Sequence, residues 1–378
     1  MLRKFIIIFS MFFVTNSIFG QYTVRIELVA LPAYHPAGAD VYAAGTFNGW
    51  NPVDSKYKFQ HKENGELFLE MKLDKGTYEF KLTRGGWDKV ECKKDGGDLQ
   101  NRVLKIEDDI GIRLNVEEWK DRFPEKTKKS TAGKNVHIID TSFLIPQLSR
   151  TRKVWIYLPE SYATSKKKYP VLYMHDGQNV FDDATSYAGE WGVDETLDTL
   201  GPMTEECIVV AIDHGGIKRL NEYNPYDNDR SGKGEGEKYA DFLVKTLKPW
   251  IDKNYRTNKK KEKTFIAGSS MGGLISLYAV LKYPKVFGGA GIFSPAFWTA
   301  PGIFKYIGEK GEKVKSRIYF YGGKLENETM VPDMIRAFEA MHKISKSRME
   351  MVIRDEGKHN EATWREEFPL FYRWIVKQ

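Results

Sequence analysis

The stretch that most restricts the fold of this 378-residue chain is KTFIAGSSMGGLISLYAV, from Lys263 to Val280. An apolar run typical of a buried strand, Thr264 to Ala267, is followed by small residues and then by a segment with helical periodicity, Gly272 to Tyr283. Glycines fit such a junction because a Cβ there would collide with a neighbouring strand or helix. The stretch therefore predicts a very tight turn between a buried strand and a helix.

From residue 135 to the end, short apolar runs rich in β-branched and aromatic residues alternate with amphipathic stretches such as EKYADFLVKTLKPWIDKNY. This alternation predicts an α/β fold, with a mostly parallel sheet covered by helices on both faces. The predicted strands are VWIYL, PVLYMH, CIVVAI, TFIAG, GGAGIFS, RIYFY and MEMVI.

Residues 21–118 follow a different pattern, in which apolar and polar residues alternate and turn signals separate the runs TVRIELVAL, ELFLEMKL and TYEFKLTR. A period of two with regular turns predicts a smaller antiparallel β-sandwich of the immunoglobulin-like type. Residues 119–134 are polar and charged, which predicts a linker between the two domains.

Residues 1–20, MLRKFIIIFSMFFVTNSIFG, combine a basic start with a short apolar run and small residues. This is typical of a signal peptide, so we expect a periplasmic or secreted protein. No later stretch approaches the ~20 apolar residues of a membrane-spanning helix. The formal net charge of +7, which becomes +5 without Arg3 and Lys4, is too small and dispersed to indicate a nucleic-acid partner.

The cysteine content is low, with only Cys92 and Cys207 in the chain. Since they fall in different predicted domains, we expect no structural disulfide. Two thiols cannot form a thiolate metal site, and we expect neither a metal nor a cofactor.

The junction Gly268-Ser269-Ser270-Met271-Gly272 has the form Gly-x-Ser-x-Gly. In a strand-turn-helix context this pattern lifts one hydroxyl above the sheet, at a helix N-terminus that favours negative charge. Ser270 is therefore a candidate nucleophile, although the same five residues could form a plain turn.

A serine nucleophile requires a base, usually an imidazole oriented by a carboxylate. Of the seven histidines, His359 alone follows the Gly-x-Ser-x-Gly pattern in a loop, and the chain order Ser, acid, His selects it. A solvated loop histidine is the alternative. For the acid, the loop after RIYFY offers Glu326 as first choice, with Glu328 and Asp333 as close rivals that could instead be solvated or cap a helix.

Backbone N–H groups that stabilise an oxyanion are expected after the candidate nucleophile and after an earlier strand. These positions are Met271 and Gln178 in the loop after PVLYM. Several aromatic residues near the junction could line a substrate pocket or belong to the core: Trp191, Tyr223, Phe297 and Trp298.

The motifs VWIYLP, YPVLYMHDGQNVF, IAGSSMGG, FSPAFW and GKHNEATW resemble the esterase branch of the α/β-hydrolases, which includes feruloyl, acetyl-xylan and enterochelin esterases and mycolyltransferases. The resemblance covers nearly all of residues 135–378. It implies hydrolysis of carboxylic esters through an acyl-enzyme, with Ser270, His359 and Glu326 as catalytic residues. The chain departs from the family pattern within GGKLENE, in the spacing from the glycines to the acid.

VYAAGTFNGWNP, GTYEFKLTRGGWDKV and LQNRVLKI resemble the glycogen- and starch-binding module family. The resemblance implies sugar contacts at Trp50, Lys81, Trp87 and Asn101, where indole faces stack on sugar rings. The two indoles could equally pack one domain against the other.

These observations predict an exported serine esterase that removes feruloyl or acetyl groups from a plant polysaccharide or oligosaccharide. One alternative is an esterase that hydrolyses a catechol siderophore. Another is a glycan-binding protein with an inactive hydrolase scaffold.

Overall fold

The computed structural model describes residues 21–63, 65–123, 128–229 and 231–377. The chain divides into two compact units, Met1–Lys126 and Thr127–Gln378. The predicted signal peptide lies outside the described residues.

The first unit is built mainly of strands in a four-stranded sheet of order β3-β4-β1-β8, a three-stranded sheet of order β2-β5-β7 and the pair β6-β9. Apolar side chains from the two larger sheets alternate along their strands and share one core, which includes Ile26, Leu69 and Phe80. The strands are β1 (Tyr22–Ala30), β2 (Tyr42–Gly45), β3 (Gln60–His61), β4 (Leu67–Leu73), β5 (Gly76–Thr83), β6 (Glu91–Cys92), β7 (Arg102–Ile106), β8 (Ile110–Asn115) and β9 (Glu118–Trp119).

The pairing in this unit differs from the prediction at one place, because β1 is antiparallel to β4 but parallel to β8. Hairpin signals in a sequence specify pairing between strands that are neighbours along the chain. They carry no information on how a first and a last strand meet.

The linker predicted at residues 119–134 is shorter at both ends in the structure. Trp119 is fully buried in the core of the first unit, where its indole Nε1 donates to Nδ1 of His35 at 3.1 Å. In the second unit, the Thr131 backbone N–H donates to Asp182 at 3.1 Å and the Gly133 N–H to Asp194 at 2.7 Å. The polar residues 130–133 are therefore hydrogen-bonded within the second unit and do not form a solvated spacer.

The second unit contains an eight-stranded sheet of order β10-β11-β13-β12-β14-β15-β16-β17. Its first two pairs are antiparallel and all later pairs are parallel. The seven predicted strands are confirmed, whereas β10, an edge strand with few buried residues, was not predicted. The strands are β10 (Val136–Ile145), β11 (Arg150–Tyr157), β12 (Val171–His175), β13 (Ile208–Ile212), β14 (Thr264–Ser269), β15 (Gly289–Phe293), β16 (Arg317–Gly323) and β17 (Arg348–Arg354).

Helices cover both faces of this sheet, and each face has its own apolar core. One core contains side chains of α3 to α7, and the other contains those of α1 and α8. A π-helical turn, Leu243–Leu247, joins α3 to α4. The helices are α1 (Val193–Leu200), α2 (Arg219–Glu222), α3 (Gly236–Phe242), α4 (Lys248–Asn254), α5 (Met271–Lys282), α6 (Gly302–Lys310), α7 (Met330–Ile344) and α8 (Glu361–Val376).

The parallel strands β12, β14, β16 and β17 end at the same edge of the sheet. The loops that follow them therefore meet there, as they do at ligand sites of open α/β sheets. Cys92 and Cys207 are both buried and unpaired. Among the described residues, none of the helices combines the length and apolar character needed to cross a bilayer.

Candidate active site

The turn predicted between strand and helix is present at Ser270, the single residue between β14 and α5. Its backbone has φ 56° and ψ −119°, a conformation that costs a residue with a Cβ about 1–3 kcal/mol and must be held by its surroundings. The Ser270 N–H donates to the Phe293 carbonyl at 2.9 Å, and the Ser270 carbonyl accepts from Ala296 at 3.0 Å and Leu274 at 3.1 Å. These bonds hold the strained residue, whose side chain remains partly exposed.

Glycine is required on both sides of this turn because the backbone approaches its neighbours closely. A Cβ on Gly268 would lie 3.0 Å from the carbonyl carbon of Gly272 and 3.0 Å from Cδ2 of His175. A Cβ on Gly273 would lie 2.9 Å from the carbonyl oxygen of Phe293. The loop after β12, which begins at His175, therefore packs directly against the turn.

His359 and Glu326 are brought together by the loops after β17 and β16. Nδ1 of His359 lies 2.6 Å from Oε2 of Glu326, whose side chain has no exposed surface. The two rival acids are placed elsewhere, since Glu328 is exposed and Asp333 lies in the first turn of α7. The sequence left three acids open, and the structure pairs Glu326 with His359.

The two loops that carry this pair are fastened to each other by their backbones. The Leu325 N–H donates to the Gly357 carbonyl at 3.0 Å, and the Lys324 N–H donates to the Arg354 carbonyl at 2.9 Å. A Cβ on Gly323 would collide with the backbone of Gly357. Glycine at both positions therefore allows the acid and the imidazole to face each other at a fixed separation.

Two residues that the sequence did not single out hold the acid in place. Ser294 Oγ donates to Oε1 of Glu326 at 2.7 Å and accepts from Nε1 of Trp364 at 2.9 Å. The Gly323 N–H donates to the same oxygen of Glu326 at 2.7 Å. Ser294 lies in the FSPAFW motif and Trp364 in GKHNEATW, so the only available signal was the resemblance that these motifs carry.

The loop after β12 holds Gln178 at the same edge, since β12 is hydrogen-bonded to β14. Asp176 in this loop has a left-handed backbone, φ 59°, and accepts two hydrogen bonds from Arg219, at 2.7 and 2.8 Å. Burial alone would raise the pKa of the Asp176 carboxyl, but Arg219 holds that pKa below its usual value. The loop is therefore tied down by a buried ion pair.

The backbone N–H groups of Met271 and Gln178 have no acceptor within their own helix or turn, as an oxyanion donor requires. Met271 is the first residue of α5, so its N–H has no acceptor within the helix. Gln178 is the second residue of a 3-10 turn, Gly177–Asn179, and its N–H likewise has no acceptor within that turn. The predicted positions thus have the expected backbone context.

The family described as "Putative esterase" matches residues 145–374, which is more than half of the chain. The chain belongs to this esterase family. Membership supports carboxylic ester hydrolysis as the activity of the second unit.

Two relatives of this chain are matched only in part. YbbA of Bacillus subtilis is 29% identical over 153 residues, which cover 39% of this chain and 58% of YbbA. The endo-1,4-beta-xylanase/feruloyl esterase of Xylanibacter ruminicola is 26% identical over 215 residues, which cover 56% of this chain and 27% of that protein. The chain thus spans less than two thirds of the length of either relative.

Among solved structures, the enterobactin esterase FES from Shigella flexneri resembles this chain with a TM-score of 0.51 and 17% sequence identity. The match covers 89% of this chain and 86% of that one. At this identity the likeness is one of fold. Together with the family match, it confirms the predicted α/β-hydrolase fold of the second unit.

Of the four aromatic residues predicted near the site, three are in the core and one is at the surface. Trp191, Tyr223 and Phe297 are at most 3% exposed and belong to the two apolar cores, which agrees with the core alternative and not with the pocket alternative. Trp298 is 40% exposed, and its ring centroid lies 6.3 Å from that of His359. Large aromatic residues close to such a turn are mostly needed to support it, and of these four only Trp298 is exposed enough to meet a ligand.

In the first unit, two of the four predicted sugar-contacting residues contact each other. The rings of Trp50 and Trp87 lie 6.2 Å apart at 43°, and Trp87 is 36% exposed. Lys81 donates to the Leu99 carbonyl at 2.6 Å, and Asn101 donates to Glu79 at 2.9 Å. The two indoles are thus brought together, while Lys81 and Asn101 are each bonded to other residues of the same unit.

A cavity of about 430 Å³ opens beside Gln178 and is lined in part by His214 and the exposed Tyr187. A larger cavity of about 750 Å³ lies beneath the loop of His359 and is lined in part by Tyr321 and Arg354. Both volumes are typical of sites for small ligands. One group of described carboxylates is close enough to hold a metal ion, and it lies at the start of α1.

Proposed function

We propose that this protein is an exported serine esterase in which Ser270 is the nucleophile, His359 the general base and Glu326 the carboxylate that orients it. The observation that carries the proposal is the 2.6 Å contact between His359 and the fully buried side chain of Glu326, at the sheet edge where the strained Ser270 also lies. The export part rests on the pattern of residues 1–20.

The proposed reaction has two steps. Ser270 Oγ attacks the ester carbonyl carbon while His359 accepts the hydroxyl proton, and the alcohol leaves with that proton as the acyl-enzyme forms. Water, deprotonated by the same imidazole, then attacks the acyl carbon and releases the carboxylic acid and Ser270. Glu326 keeps the proton on Nδ1 of His359, so that Nε2 serves as the base.

Each tetrahedral intermediate carries a negative oxygen that requires donors in place before the reaction begins. The backbone N–H groups of Met271 and Gln178 are assigned this role. The ion pair between Asp176 and Arg219 would keep the Gln178 loop from moving as charge develops.

The proposed substrate is a feruloyl or acetyl ester on a plant polysaccharide or oligosaccharide. A relative named endo-1,4-beta-xylanase/feruloyl esterase supports this class of substrate. The adjoining indoles of Trp50 and Trp87 support a sugar-stacking surface in the first unit. Trp298, exposed beside His359, would contact an aromatic acyl group or a sugar ring.

A catechol siderophore is the second candidate substrate. The fold likeness to the enterobactin esterase covers 89% of this chain, more than the 252 residues of the second unit account for. The positive net charge of the chain would also suit an anionic ligand.

The deciding experiment measures product release from feruloylated and acetylated xylan oligosaccharides and from a catechol siderophore, with the wild type, Ser270→Ala and Ser276→Ala. Ser276 is a suitable control because its hydroxyl is buried in α5 and donates to the Gly272 carbonyl at 2.7 Å. Loss of release with Ser270→Ala but not Ser276→Ala is expected. Equal turnover by Ser270→Ala and the wild type would refute the mechanism, and serine-dependent turnover of the siderophore alone would replace the substrate.

Labelling with a fluorophosphonate and peptide mass spectrometry separates an enzyme from an inactive scaffold. Modification of Ser270 is expected, and its absence would favour the glycan-binding alternative. Export is tested by expressing the chain with its own N-terminus and sequencing the product outside the cytoplasm, where removal of residues 1–20 is expected. An intact N-terminus in the cytoplasm would overturn this part of the proposal.

A further inference from the structure

Three carboxylates, Glu190, Asp194 and Glu195, converge where the chain enters α1. Each offers an oxygen within 4.8 Å of the others. Glu190 is 4% exposed and Asp194 is fully buried, while Glu195 is exposed. The group is therefore built into the fold on one side and open to solvent on the other.

Two oxygens of this group are buried without a hydrogen-bond partner among the described residues, Oε2 of Glu190 and Oδ1 of Asp194. The other oxygen of each carboxylate is satisfied, since Thr131 Oγ1 donates to Glu190 at 2.9 Å and the Gly133 N–H donates to Asp194 at 2.7 Å. A buried carboxylate oxygen with no partner is costly. Its position beside like charges calls for a proton or a cation.

The local charge is strongly negative although the whole chain is basic. Residues 182–198 contain six acids and no lysine or arginine. One cation approaches from α8, where a guanidinium nitrogen of Arg365 lies 3.7 Å from Oε1 of Glu190. That guanidinium donates at 2.8 Å from Nε to the Glu190 backbone carbonyl, so it leaves the orphan oxygens unpaired.

We propose that Glu190, Asp194 and Glu195 bind a calcium ion, with water completing its coordination on the solvent side of Glu195. Calcium takes six to eight oxygen ligands at 2.3–2.6 Å in flexible geometry. Calcium tolerates irregular arrangements of carboxylate and water oxygens, whereas magnesium requires short, strictly octahedral bonds.

The same carboxylates hold the beginning of the second unit, so calcium would act on more than α1. Thr131 and Gly133 donate to Glu190 and Asp194, and the ion would fix the oxygens that receive these bonds. Calcium is therefore expected to stabilise residues 130–133 against α1. This role is independent of the proposed reaction, because none of these residues belongs to the Ser270, His359 and Glu326 set.

Terbium luminescence gives a direct test, because Tb³⁺ replaces Ca²⁺ at oxygen sites and is excited by a nearby indole. Trp191 lies next to Glu190 in the chain and can serve as the donor. With the calcium-free full chain, we expect saturable terbium emission that calcium displaces and magnesium does not. Calcium at about 100 times its dissociation constant should raise the melting temperature by about 5 °C.

Asp194→Asn should remove at least nine-tenths of the terbium emission and the calcium-dependent shift, while Glu309→Gln, an exposed acid on α6, should leave both unchanged. The wild type alone is decisive if Asp194→Asn does not fold. No saturable emission and no melting shift with millimolar calcium would overturn the proposal.

Discussion

At the carboxyl edge of the eight-stranded sheet, Glu326 has a fully buried side chain that contacts His359, Ser294 and the Gly323 N–H. In the first unit, Asn101 is exposed and bonded to Glu79. The first arrangement brings together residues from three separate loops, whereas the second involves neighbouring positions at the end of one sheet.

The two regions can also be compared by the constraints that they place on the backbone. The edge in the second unit requires a strained Ser270 and glycines at positions where a Cβ would collide. Positive φ values also occur beside the predicted sugar surface, at Gly49, Trp50 and Gly85, and a Cβ on Gly86 would collide with the Asp88 side chain. Backbone constraint therefore marks both regions, and the second unit differs in the set of side chains that its separate loops bring together.

The largest effect is expected from removing the buried charge of the second unit. Glu326→Gln keeps the size of the side chain but no longer stabilises the protonated imidazole of His359, so kcat/KM should fall about 10³- to 10⁴-fold. Glu328→Gln, two residues away and exposed, should retain full activity. The measurement is hydrolysis of a soluble aryl ester, and equal activities of the two variants would remove Glu326 from its proposed role.

A second test compares a buried histidine with an exposed one. Burial lowers the pKa of His175 to about 4, and its Nδ1 lies 3.1 Å from the Tyr239 hydroxyl. In the unfolded chain His175 is protonated below about pH 6.5, whereas in the folded chain it stays neutral down to about pH 4. The contribution of His175 to folding stability is therefore fully present above pH 6.5 and is lost as the pH falls through 4. The loss should reach roughly 3 kcal/mol.

Thermal unfolding between pH 7 and pH 4 checks this prediction. His175→Asn should flatten the dependence, whereas His61→Asn, at an exposed position of β3 in the first unit, should not. An unchanged slope in His175→Asn would assign the acid sensitivity to other groups.

A smaller effect is expected from loosening the support of the acid. Ser294→Ala removes the donor to Glu326 and the acceptor of Trp364 Nε1, so kcat should fall about tenfold with KM unchanged. Trp364→Phe should reproduce part of the effect. A loss confined to stability, with kcat intact, would make Ser294 purely structural.

The smallest effect is expected in the first unit. Trp87→Ala should lower the release of product from polymeric substrate a few-fold through lost stacking, with hydrolysis of a small soluble ester unchanged. Val53→Ala, also at an exposed position, is the matched control. Equal losses on both substrates would mean that Trp87 supports the fold and does not bind sugar.

Much of the fold could be predicted because buried parallel strands are short and continuously apolar, as in β12 and β13. The edge strand β10 was missed since most of its residues are exposed and carry no such signal. The linker was drawn too long because a polar sequence does not reveal that Thr131 and Gly133 have carboxylate partners far along the chain.

At the candidate site, Ser270 and His359 could be predicted from a local motif and from chain order. The choice of Glu326 over Glu328 depended on the path of one loop, which local sequence does not specify. Ser294 and Trp364 lie 70 residues apart and meet only in the folded chain. Their contribution is a property of tertiary structure.

The contact between Gly323 and Gly357 restricts how this scaffold can change over evolution. An insertion in either loop would separate Glu326 from His359, because the backbones of the two loops are bonded to each other. The long connection after β13 carries no such backbone cross-link to β16 or β17 among the described residues. New specificities are therefore expected to arise by lengthening this connection, and the same segment is a place to graft loops when the protein is redesigned.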